Sequence, residues 1–452
     1  MHSFTPEDDR TAHALASFCL DRLAMLAPLD RPRTPEELAI EAGTTVTAPG
    51  IGADEALRLW RDVLGPACLS VDHPRYLSFI PSAPTKAAAA FDMLVGATSV
   101  YSGSWLEGSG AVYAENQALR WLADLAGLPP EAGGAFVQGG TIGNLSALVA
   151  AREAARNRWE VPPRRWAVCL TAETHSSVKH ALRVVMDADV VEVPGDERGR
   201  LTGAALREHV AGLDPSVREG IFAVVATAGS TNLGVVDDIA GIGEVARENG
   251  WWLHVDGAYG GAGLAAPSVR HLYAGVEQAD SFIVDPHKWL FAPFDSCALL
   301  YRDPAQARAA HTQHASYLDP VTVEGEWNPS DFAIQLTRRA RGLPFWFSLA
   351  VHGTDAYRDA IEQTLAVTRA GADLLRSREH VRLLVEPDLS VLVFERIGWA
   401  DDDYASWSAR LLDEQVAFVT PTKHNGRVCT RFAIVNPLTT VADLELLIDS
   451  MR

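Results

Sequence analysis

The chain has 452 residues, of which 48% are hydrophobic and 21% charged, and this composition excludes a mostly disordered protein. Its 39 basic and 58 acidic residues give a net charge of −19, which disfavours nucleic acid and anionic membranes as partners because both attract basic patches. The N-terminus lacks the features of a signal peptide, and no apolar run reaches about 18 residues, so we expect a cytoplasmic protein that does not span a membrane. The five cysteines form no CxxC pair, and we expect neither a disulfide framework nor a metal site.

The predicted elements fall into three parts along the chain. Residues 1–70 are expected to form a helical arm, with a Pro-rich turn between two amphipathic stretches. Residues 71–345 alternate short apolar runs with helical patterns, which is typical of βαβ units in a mainly parallel α/β domain. Residues 346–452 begin with a long helix and indicate a small α+β domain. The predicted strands are Trp166–Leu170, Val190–Val193, Phe222–Thr227, Trp252–Val255, Ser281–Val284, Cys297–Tyr301, Val391–Glu395 and Thr430–Val435.

Lysine is scarce, since 35 of the 39 basic residues are arginine. A GC-rich genome explains most of that bias, but it leaves few candidates for chemistry that needs an amine. Lys288 follows the predicted strand that ends before Asp285 and lies among apolar residues. An apolar setting would lower its pKa and raise the neutral, nucleophilic fraction. A solvated loop lysine is the more common alternative, because buried lysine is rare.

Three further segments carry polar groups at predicted strand ends or turns. Asp256 closes an apolar strand, where it could bind a ligand or cap a helix. The glycine-rich segment 136–144 precedes a helix and includes Thr141, which suits a phosphate, although many strand-to-helix turns share this composition. His175 lies beside hydroxyl residues and could cap a loop, stack on a planar cofactor or transfer a proton. Together with Lys288, these features match the needs of pyridoxal 5′-phosphate (PLP).

At the level of whole motifs, the chain resembles the group II PLP-dependent amino-acid decarboxylases, most closely the aromatic-L-amino-acid type. The resemblance runs from about His73 to the C-terminus. It implies an α/β fold of fold type I, similar to aspartate aminotransferase. The motifs that carry it are HPRYLSFIPS (73–82), QGGTIGNLSAL (138–148), ETHSSVKHA (173–181), LHVDGAYGG (253–261), ADSFIVDPHKWL (279–290), SYLDP (316–320), RRARGLPFWF (338–347) and RFAIVNPLTT (431–440).

The resemblance also implies roles for individual residues. Lys288 would form the Schiff base with PLP, Asp256 would pair with the ring nitrogen, and His175 would stack on the ring. Tyr317 matches the tyrosine of a mobile loop that returns a proton to the α-carbon. The remaining residues implied to surround the cofactor are Ala258 beneath the ring, Thr231 near it, and Gly140, Thr141 and His287 around the phosphate.

The substrate pocket departs from the aromatic members of the family. The resemblance implies a pocket around Phe79, Ile80, Pro81, Tyr101, Gly103 and Arg338, and Gly103 stands where those members carry a bulky ring. Arg338 alternatively belongs to a solvated basic run. Asp285 replaces a customary asparagine near the phosphate, and its charge could weaken phosphate binding unless it is paired. One ring or methylene changes selectivity by only a few kcal/mol, so the substrate stays open.

The implied activity is decarboxylation of an L-amino acid to an amine and carbon dioxide by a homodimer with its active site at the interface. Aromatic substrates are favoured, and aliphatic or specialised amino acids are alternatives. Relatives on this scaffold use oxygen to release an aldehyde instead, but Tyr317 and His175 match the decarboxylase form. A binding protein without turnover is the remaining alternative, and the intact set of Lys288, Asp256, His175 and Tyr317 argues against it.

Overall fold

A central sheet organises the protein in the computed structural model, which describes residues 2–157, 161–313 and 325–452. Neighbouring strands from β6 through β5, β4 and β2 to β3 are parallel, whereas β7 runs antiparallel to both β6 and β1. Parallel strands end at one edge of a sheet, and this edge carries the residues considered below. The strands of this sheet are β1 (Gly133–Val137), β2 (Ala167–Leu170), β3 (Asp189–Glu192), β4 (Ile221–Thr227), β5 (Trp252–Asp256), β6 (Ser281–Val284) and β7 (Cys297–Tyr301).

Both faces of this sheet are covered by helices. In β4, Val224 and Ala226 belong to the core on one face, whereas Ala223 and Val225 belong to the core on the other. Every residue of β4 is buried, as expected for a central parallel strand with helices on both sides. The α-helices are α1 (Pro6–Ala24), α2 (Pro35–Ala42), α3 (Ala53–Leu59), α4 (Lys86–Thr98), α5 (Trp105–Leu125), α6 (Gly140–Arg156), α7 (Ser176–His180), α8 (Gly203–Ala211), α9 (Pro215–Arg218), α10 (Ile239–Asn249), α11 (Pro304–His311), α12 (Leu343–Arg376), α13 (Asp401–Asp413) and α14 (Val441–Asp449).

Shorter helical turns complete the chain between these elements. Two are π-helical, at Trp60–Leu64 and Ala181–Val185. The 3₁₀ turns are Gly65–Ala67, Gly260–Ala265, Arg270–Tyr273, Val276–Gln278 and Pro329–Phe332.

The N-terminal helices begin at strong local signals. In α1, Thr5 and Asp8 form a reciprocal capping box and Pro6 occupies the first turn. In α2, Thr34 and Glu37 do the same. Neither helix contains a buried residue in the single chain, so the arm contributes little to the core.

A second, antiparallel sheet lies towards the C-terminus, with strand order β10-β11-β9-β8. Helix α12 packs against this sheet and also against α4 and α5. It is interrupted at Gly353, whose φ of 77° lies in the region that favours glycine. The strands are β8 (Val381–Val385), β9 (Val391–Arg396), β10 (Pro421–His424) and β11 (Arg427–Ala433).

The α/β fold and the mainly parallel sheet are confirmed, and all eight predicted strands are present with bounds shifted by at most three residues. Strand β1 was missed because Gly133 and Gly134 are poor strand formers. Strands β8 and β10 were also missed, as was α2, which begins at the end of the Pro-rich stretch predicted as a turn. Within the described residues, no helix combines the length and the apolar character needed to cross a bilayer.

Candidate active site

The carboxyl ends of β1, β4, β5 and β6 surround one cavity of about 280 Å³. In the strand register Thr227 is opposite Asp256, and Asp256 is opposite Ile283, so these ends lie side by side. All eight residues predicted to bind the cofactor line this cavity, namely Gly140, Thr141, His175, Thr231, Asp256, Ala258, His287 and Lys288. Residues from four separate sequence motifs, together with Thr231, are therefore brought together.

Lys288 is held by a carboxylate rather than by an apolar environment. Its Nζ lies 2.9 Å from Asp285 Oδ2, and its side chain is 20% exposed. Burial lowers the pKa of Lys288, but Asp285 outweighs burial, with a smaller contribution from Asp256, and the pKa lies above its ordinary value. The predicted lowering of this pKa was therefore wrong. The apolar neighbours Trp289, Leu290 and Phe291 are themselves buried in the core, so the lysine amine meets Asp285 instead.

Asp285 is the most strongly paired carboxylate of the cavity. Burial alone would raise its pKa, but Lys288 and His287 hold the pKa below the ordinary value. Its Oδ2 also accepts a hydrogen bond from Gly140 N at 3.3 Å and lies 3.7 Å from His287 Nε2. The charge that seemed an obstacle to phosphate binding is thus compensated by neighbouring donors.

His287 is fixed between the backbone and an aromatic ring. Its Nδ1 lies 2.7 Å from Ser296 O and 3.1 Å from Ser296 N. Its ring centroid is 4.9 Å from that of Phe294. Burial lowers the pKa of His287, although Asp285 opposes this effect. The ring is therefore a rigid, largely neutral wall of the cavity.

Asp256 is buried at the end of β5 and has both oxygens occupied. Oδ1 accepts from the Ala258 backbone N at 3.0 Å, and Oδ2 accepts from Asn144 Nδ2 at 2.9 Å. The first bond is a local turn interaction, whereas the second comes from α6, more than one hundred residues away. These two donors fix the orientation of the carboxylate at the wall of the cavity.

The N-terminus of α6 is open towards the same cavity. Gly139 precedes the helix and provides no N-cap side chain, while the Gly140 backbone N donates to Asp285 Oδ2 at 3.3 Å. A Cβ on Gly140 would come within 3.2 Å of the Ala258 Cβ and 3.3 Å of Asp285 Oδ2, so a larger residue would narrow the cavity here. A helix N-terminus without an N-cap side chain, with the Thr141 hydroxyl beside it, is a suitable anion site.

His175 has a capping role, as its hydroxyl-bearing neighbours suggested, and it also borders the cavity. It is the N-cap of α7, where its Nδ1 accepts from Ser177 N at 3.3 Å and lies 2.8 Å from Ser177 Oγ. The ring is exposed, which leaves its face free for stacking.

The cavity also contains polar atoms that have no partner among the described residues. Gln138 Oε1 and Thr227 Oγ1 are buried and make no hydrogen bond there, yet both residues line the cavity. Buried polar groups without partners are rare in folded proteins. The amine of Lys288, the carboxylate of Asp256, the anion site of α6 and these two free acceptors together fit PLP.

The predicted substrate-pocket residues are not on this cavity. Within the described chain, its lining includes none of Phe79, Ile80, Pro81, Tyr101, Gly103 and Arg338. Ile80 is in the core, whereas Phe79 is 58% exposed. The nearby Ser82 Oγ donates to Ala292 O at 3.0 Å, which places this segment beside the loop that follows Lys288.

Two expectations about this pocket were wrong. The space beside Gly103 is filled, because a Cβ there would overlap the phenol ring of Tyr101, whose hydroxyl donates to Leu336 O at 3.0 Å. Arg338 is not part of a solvated basic run, since it is only 4% exposed and donates to Phe136 O at 2.6 Å. Tyr317 lies outside the described residues.

Sequence reasoning quoted Asn144, Gln138 and Ser177 within motifs but gave them no role. It missed Phe294 altogether. Asn144 follows Gly140 by four residues, which places both on one face of α6, so helical spacing could have indicated it. Ser177 and Gln138 adjoin predicted residues. Phe294 had no local signal, because its place at the cavity depends on the path of the loop.

Comparison with known proteins agrees with this site. Residues 46–397 match the pyridoxal-dependent decarboxylase conserved domain. An aromatic-L-amino-acid decarboxylase of Bacillus atrophaeus is 30% identical over 385 residues, covering 83% of this chain and 79% of that protein. An L-2,4-diaminobutyrate decarboxylase of Rhizobium meliloti is 32% identical over 391 residues, covering 84% and 78%.

Among solved structures, that of Oryza sativa TDC with PLP and tryptamine has a TM-score of 0.90 at 25% identity, covering 100% of this chain and 99% of that chain. The family match extends over most of the sequence and the structural match over all of it, so the resemblance, the fold type and the cofactor are confirmed. The chain belongs to the pyridoxal-dependent decarboxylases of fold type I, and it is a PLP-dependent amino-acid decarboxylase.

Proposed function

We propose that this enzyme decarboxylates an aromatic L-amino acid to the corresponding amine, using the cavity around Lys288 as its cofactor site. The observation that carries the proposal is that residues of four motifs meet at one sheet edge, with Lys288 and Asp256 lining the same cavity. PLP, when bound, withdraws electrons from the substrate's α-carbon so that the carboxyl group can leave as carbon dioxide.

Each residue of the site has a defined task in this proposal. Lys288 would hold PLP covalently through the cofactor's aldehyde carbon, which the amino group of the substrate would take over. Asp256 would hold a proton on the ring nitrogen, and the two hydrogen bonds to its oxygens fix its orientation. His175 and Ala258 would hold the ring between them.

The phosphate and the α-carbon proton involve two further parts of the chain. The N-terminus of α6, with Gly140 and Thr141, binds the phosphate together with His287, and Thr231 lies near the ring. Tyr317 donates the proton that completes the amine, because a positioned acid directs the reaction away from oxygen-dependent products.

The choice of an aromatic substrate rests on the outer wall of the cavity. Phe294 is 53% exposed and lines the cavity, so it offers an apolar surface to a substrate ring. Asp295, the next residue, pairs through its Oδ1 with Arg341 Nε at 2.8 Å, so its charge is partly neutralised. The names of the relatives include both aromatic and diaminobutyrate decarboxylases. The ion pair of Asp295 with Arg341 weakens the attraction of the cavity for a second ammonium group and so favours the aromatic alternative.

We also propose a homodimer in which the second copy completes the substrate pocket. Helix α1 buries none of its residues in the single chain, and exposed apolar side chains occur along the arm and on the helices α4 and α5. Contacts between copies would cover these side chains. The exposed large apolar residues of these segments are Phe4, Leu15, Leu20, Met25, Leu26, Ile40, Val46, Trp60, Met93, Leu94, Leu106 and Tyr113.

A product screen tests the function directly. The purified enzyme with added PLP is incubated with each common L-amino acid, DOPA, ornithine and L-2,4-diaminobutyrate, with and without oxygen, and products are identified by mass spectrometry. We expect an amine from one aromatic substrate, independent of oxygen. An amine from diaminobutyrate alone would overturn the aromatic assignment, and an aldehyde that requires oxygen would overturn amine release. The cytoplasmic location and the division at residues 70 and 345 stay predictions.

A further inference from the structure

A continuous chain of buried hydrogen bonds lies behind Asp256 and extends away from the cavity. Asp256 Oδ2 accepts from Asn144 Nδ2 at 2.9 Å, and Asn144 Oδ1 lies 2.7 Å from His254 Nε2. His254 Nδ1 lies 2.8 Å from Ser281 Oγ, which accepts from Trp252 Nε1 at 2.8 Å. Every one of these residues is at most 4% exposed. Three elements, α6, β5 and β6, are thus connected to the one carboxylate.

The chemistry of the groups fixes the direction of every bond in this chain. An ionised carboxylate only accepts, so Asn144 must present its NH₂ group to Asp256 and its carbonyl oxygen to His254. That oxygen also only accepts, so His254 must carry its proton on Nε2. The unprotonated Nδ1 then accepts from the Ser281 hydroxyl, whose oxygen accepts from the indole N–H of Trp252.

His254 is held in its neutral form, as this pattern requires. Burial lowers the pKa of His254 to about 4, although the charge of Asp256 opposes the effect. At neutral pH the ring therefore has one N–H and one bare nitrogen, and the contact with Ser281 selects which nitrogen is bare.

We infer that His254 is a positioning residue, which holds the Asn144 amide in the one orientation that donates to Asp256. In this orientation the proton shared by Asp256 and the cofactor's ring nitrogen stays on the nitrogen. The inference rests on the proposed role of Asp256. Without the His254 donor, the amide of Asn144 can turn its oxygen towards the carboxylate and destabilise the ionised form. The shared proton then moves from the ring nitrogen to Asp256, and the ring becomes a weaker electron acceptor.

The alternative is that these contacts serve packing alone. A buried histidine of comparable environment provides the matched control, since His311 is 6% exposed and its Nε2 lies 3.0 Å from the backbone oxygen of Ser146. Burial lowers its pKa to about 4 as well. Among the described residues His311 makes no hydrogen bond with Asp256 or Asn144, so His311→Leu removes a buried hydrogen bond and leaves the bonds behind Asp256 in place.

The test measures the ring nitrogen itself in the holoenzyme. PLP labelled with ¹⁵N in the ring is bound to wild type, His254→Leu, His254→Gln and His311→Leu, and its ¹⁵N chemical shift reports protonation. We expect the shift of a protonated nitrogen in wild type and in His311→Leu, and movement towards the unprotonated value in His254→Leu. His254→Gln should restore most of the wild-type signal, because its amide can donate to Asn144 and accept from Ser281.

Cofactor affinity gives a second readout. In His254→Leu the dissociation constant for PLP should rise about 10- to 100-fold, by analogy with outer partners of metal ligands. Ser281→Ala is the milder variant if His254→Leu does not fold, and it should move the ¹⁵N shift in the same direction by a smaller amount.

Three results have separate meanings. A protonated ring nitrogen in His254→Leu, together with an altered signal in Asp256→Asn, would overturn the role of His254 and leave that of Asp256 intact. A signal that is the same in Asp256→Asn and wild type would overturn the proposed role of Asp256 itself. Equal loss of ring protonation in His311→Leu and His254→Leu would show that the effect comes from general loosening of the core.

Discussion

The cofactor cavity and the predicted substrate pocket differ in how they are assembled. The cavity residues follow strands of one sheet, and the single chain brings them together. The predicted pocket residues lie on loops, and two of them, Tyr101 and Gly103, come just before α5. In the single chain none of these residues lines the cavity within the described residues. Parallel strands end at a common edge of the sheet, and this position does not depend on the conformation of the loops. A site built on loops depends on neighbouring structure, here on a second copy in our proposal.

The strongest test of the cavity is Lys288→Ala. Without the amine that binds the aldehyde, we expect turnover to fall by more than about 10³-fold, and borohydride should no longer attach the cofactor to the protein. Lys179→Ala is the matched control, because this lysine is paired with Glu192 at 2.8 Å away from the cavity. Normal activity in Lys288→Ala would disprove the cofactor site.

The pocket is tested by Leu106→Glu. Leu106 is 62% exposed and follows Gly103 at the start of α5, so a charge there should oppose burial between copies. We expect monomers by light scattering and a loss of activity of about tenfold or more, equivalent to about 1.4 kcal/mol in the barrier. Leu446→Glu, on the exposed face of α14, should change neither. A fully active monomer would show that one chain completes its own pocket.

Asp285→Asn tests the electrostatics of the cavity. Asp285 raises the pKa of Lys288 against the lowering caused by burial, so its removal should lower that pKa. The neutral amine fraction near pH 7 then rises roughly tenfold for each unit of the shift. Stopped-flow absorbance should show faster PLP uptake by the apoenzyme, with the pH profile displaced to lower pH. Asp295→Asn is the control, and an undisplaced profile in Asp285→Asn would contradict the assigned cause.

The smallest effect is expected from Gly103→Ala. The added Cβ would overlap the ring of Tyr101, so we expect a loss of about 1–3 kcal/mol in the free energy of unfolding, measured by denaturant titration. An unchanged stability with altered substrate preference would instead indicate that Gly103 lies at the substrate pocket, as the resemblance implies.

Much of this arrangement could be predicted from sequence because it follows from local patterns. The strand ending at Asp256 and the strand before Lys288 are uninterrupted apolar runs, and their polar ends indicate the edge of a sheet. The patterns indicated Lys288, Asp256, His175 and the glycine-rich segment with Thr141. Ala258, Thr231 and His287 came from the family resemblance alone, and all of these residues line the cavity. Strand β1 was not predicted, because its glycines are poor strand formers. The glycine-rich motif that follows it was identified.

The side-chain contacts that depend on loop paths or on distant elements could not be predicted. The pairing of Lys288 with Asp285 spans only three residues, but its orientation depends on how the loop after β6 turns. The contact between Asn144 and His254 joins residues 110 positions apart, and neither residue indicates its partner in the sequence. Tyr101 fills the space over Gly103 through a side-chain rotation that no spacing rule describes.

The ion pair between Lys288 and Asp285 also bears on how the chain would take up its cofactor. The raised pKa favours the protonated amine, and an ammonium group cannot attack a carbonyl carbon. An aldehyde must therefore stay in the cavity until the amine is neutral. A phosphate held at the N-terminus of α6 would lengthen that stay, so residence time would favour PLP over aldehydes that carry no phosphate.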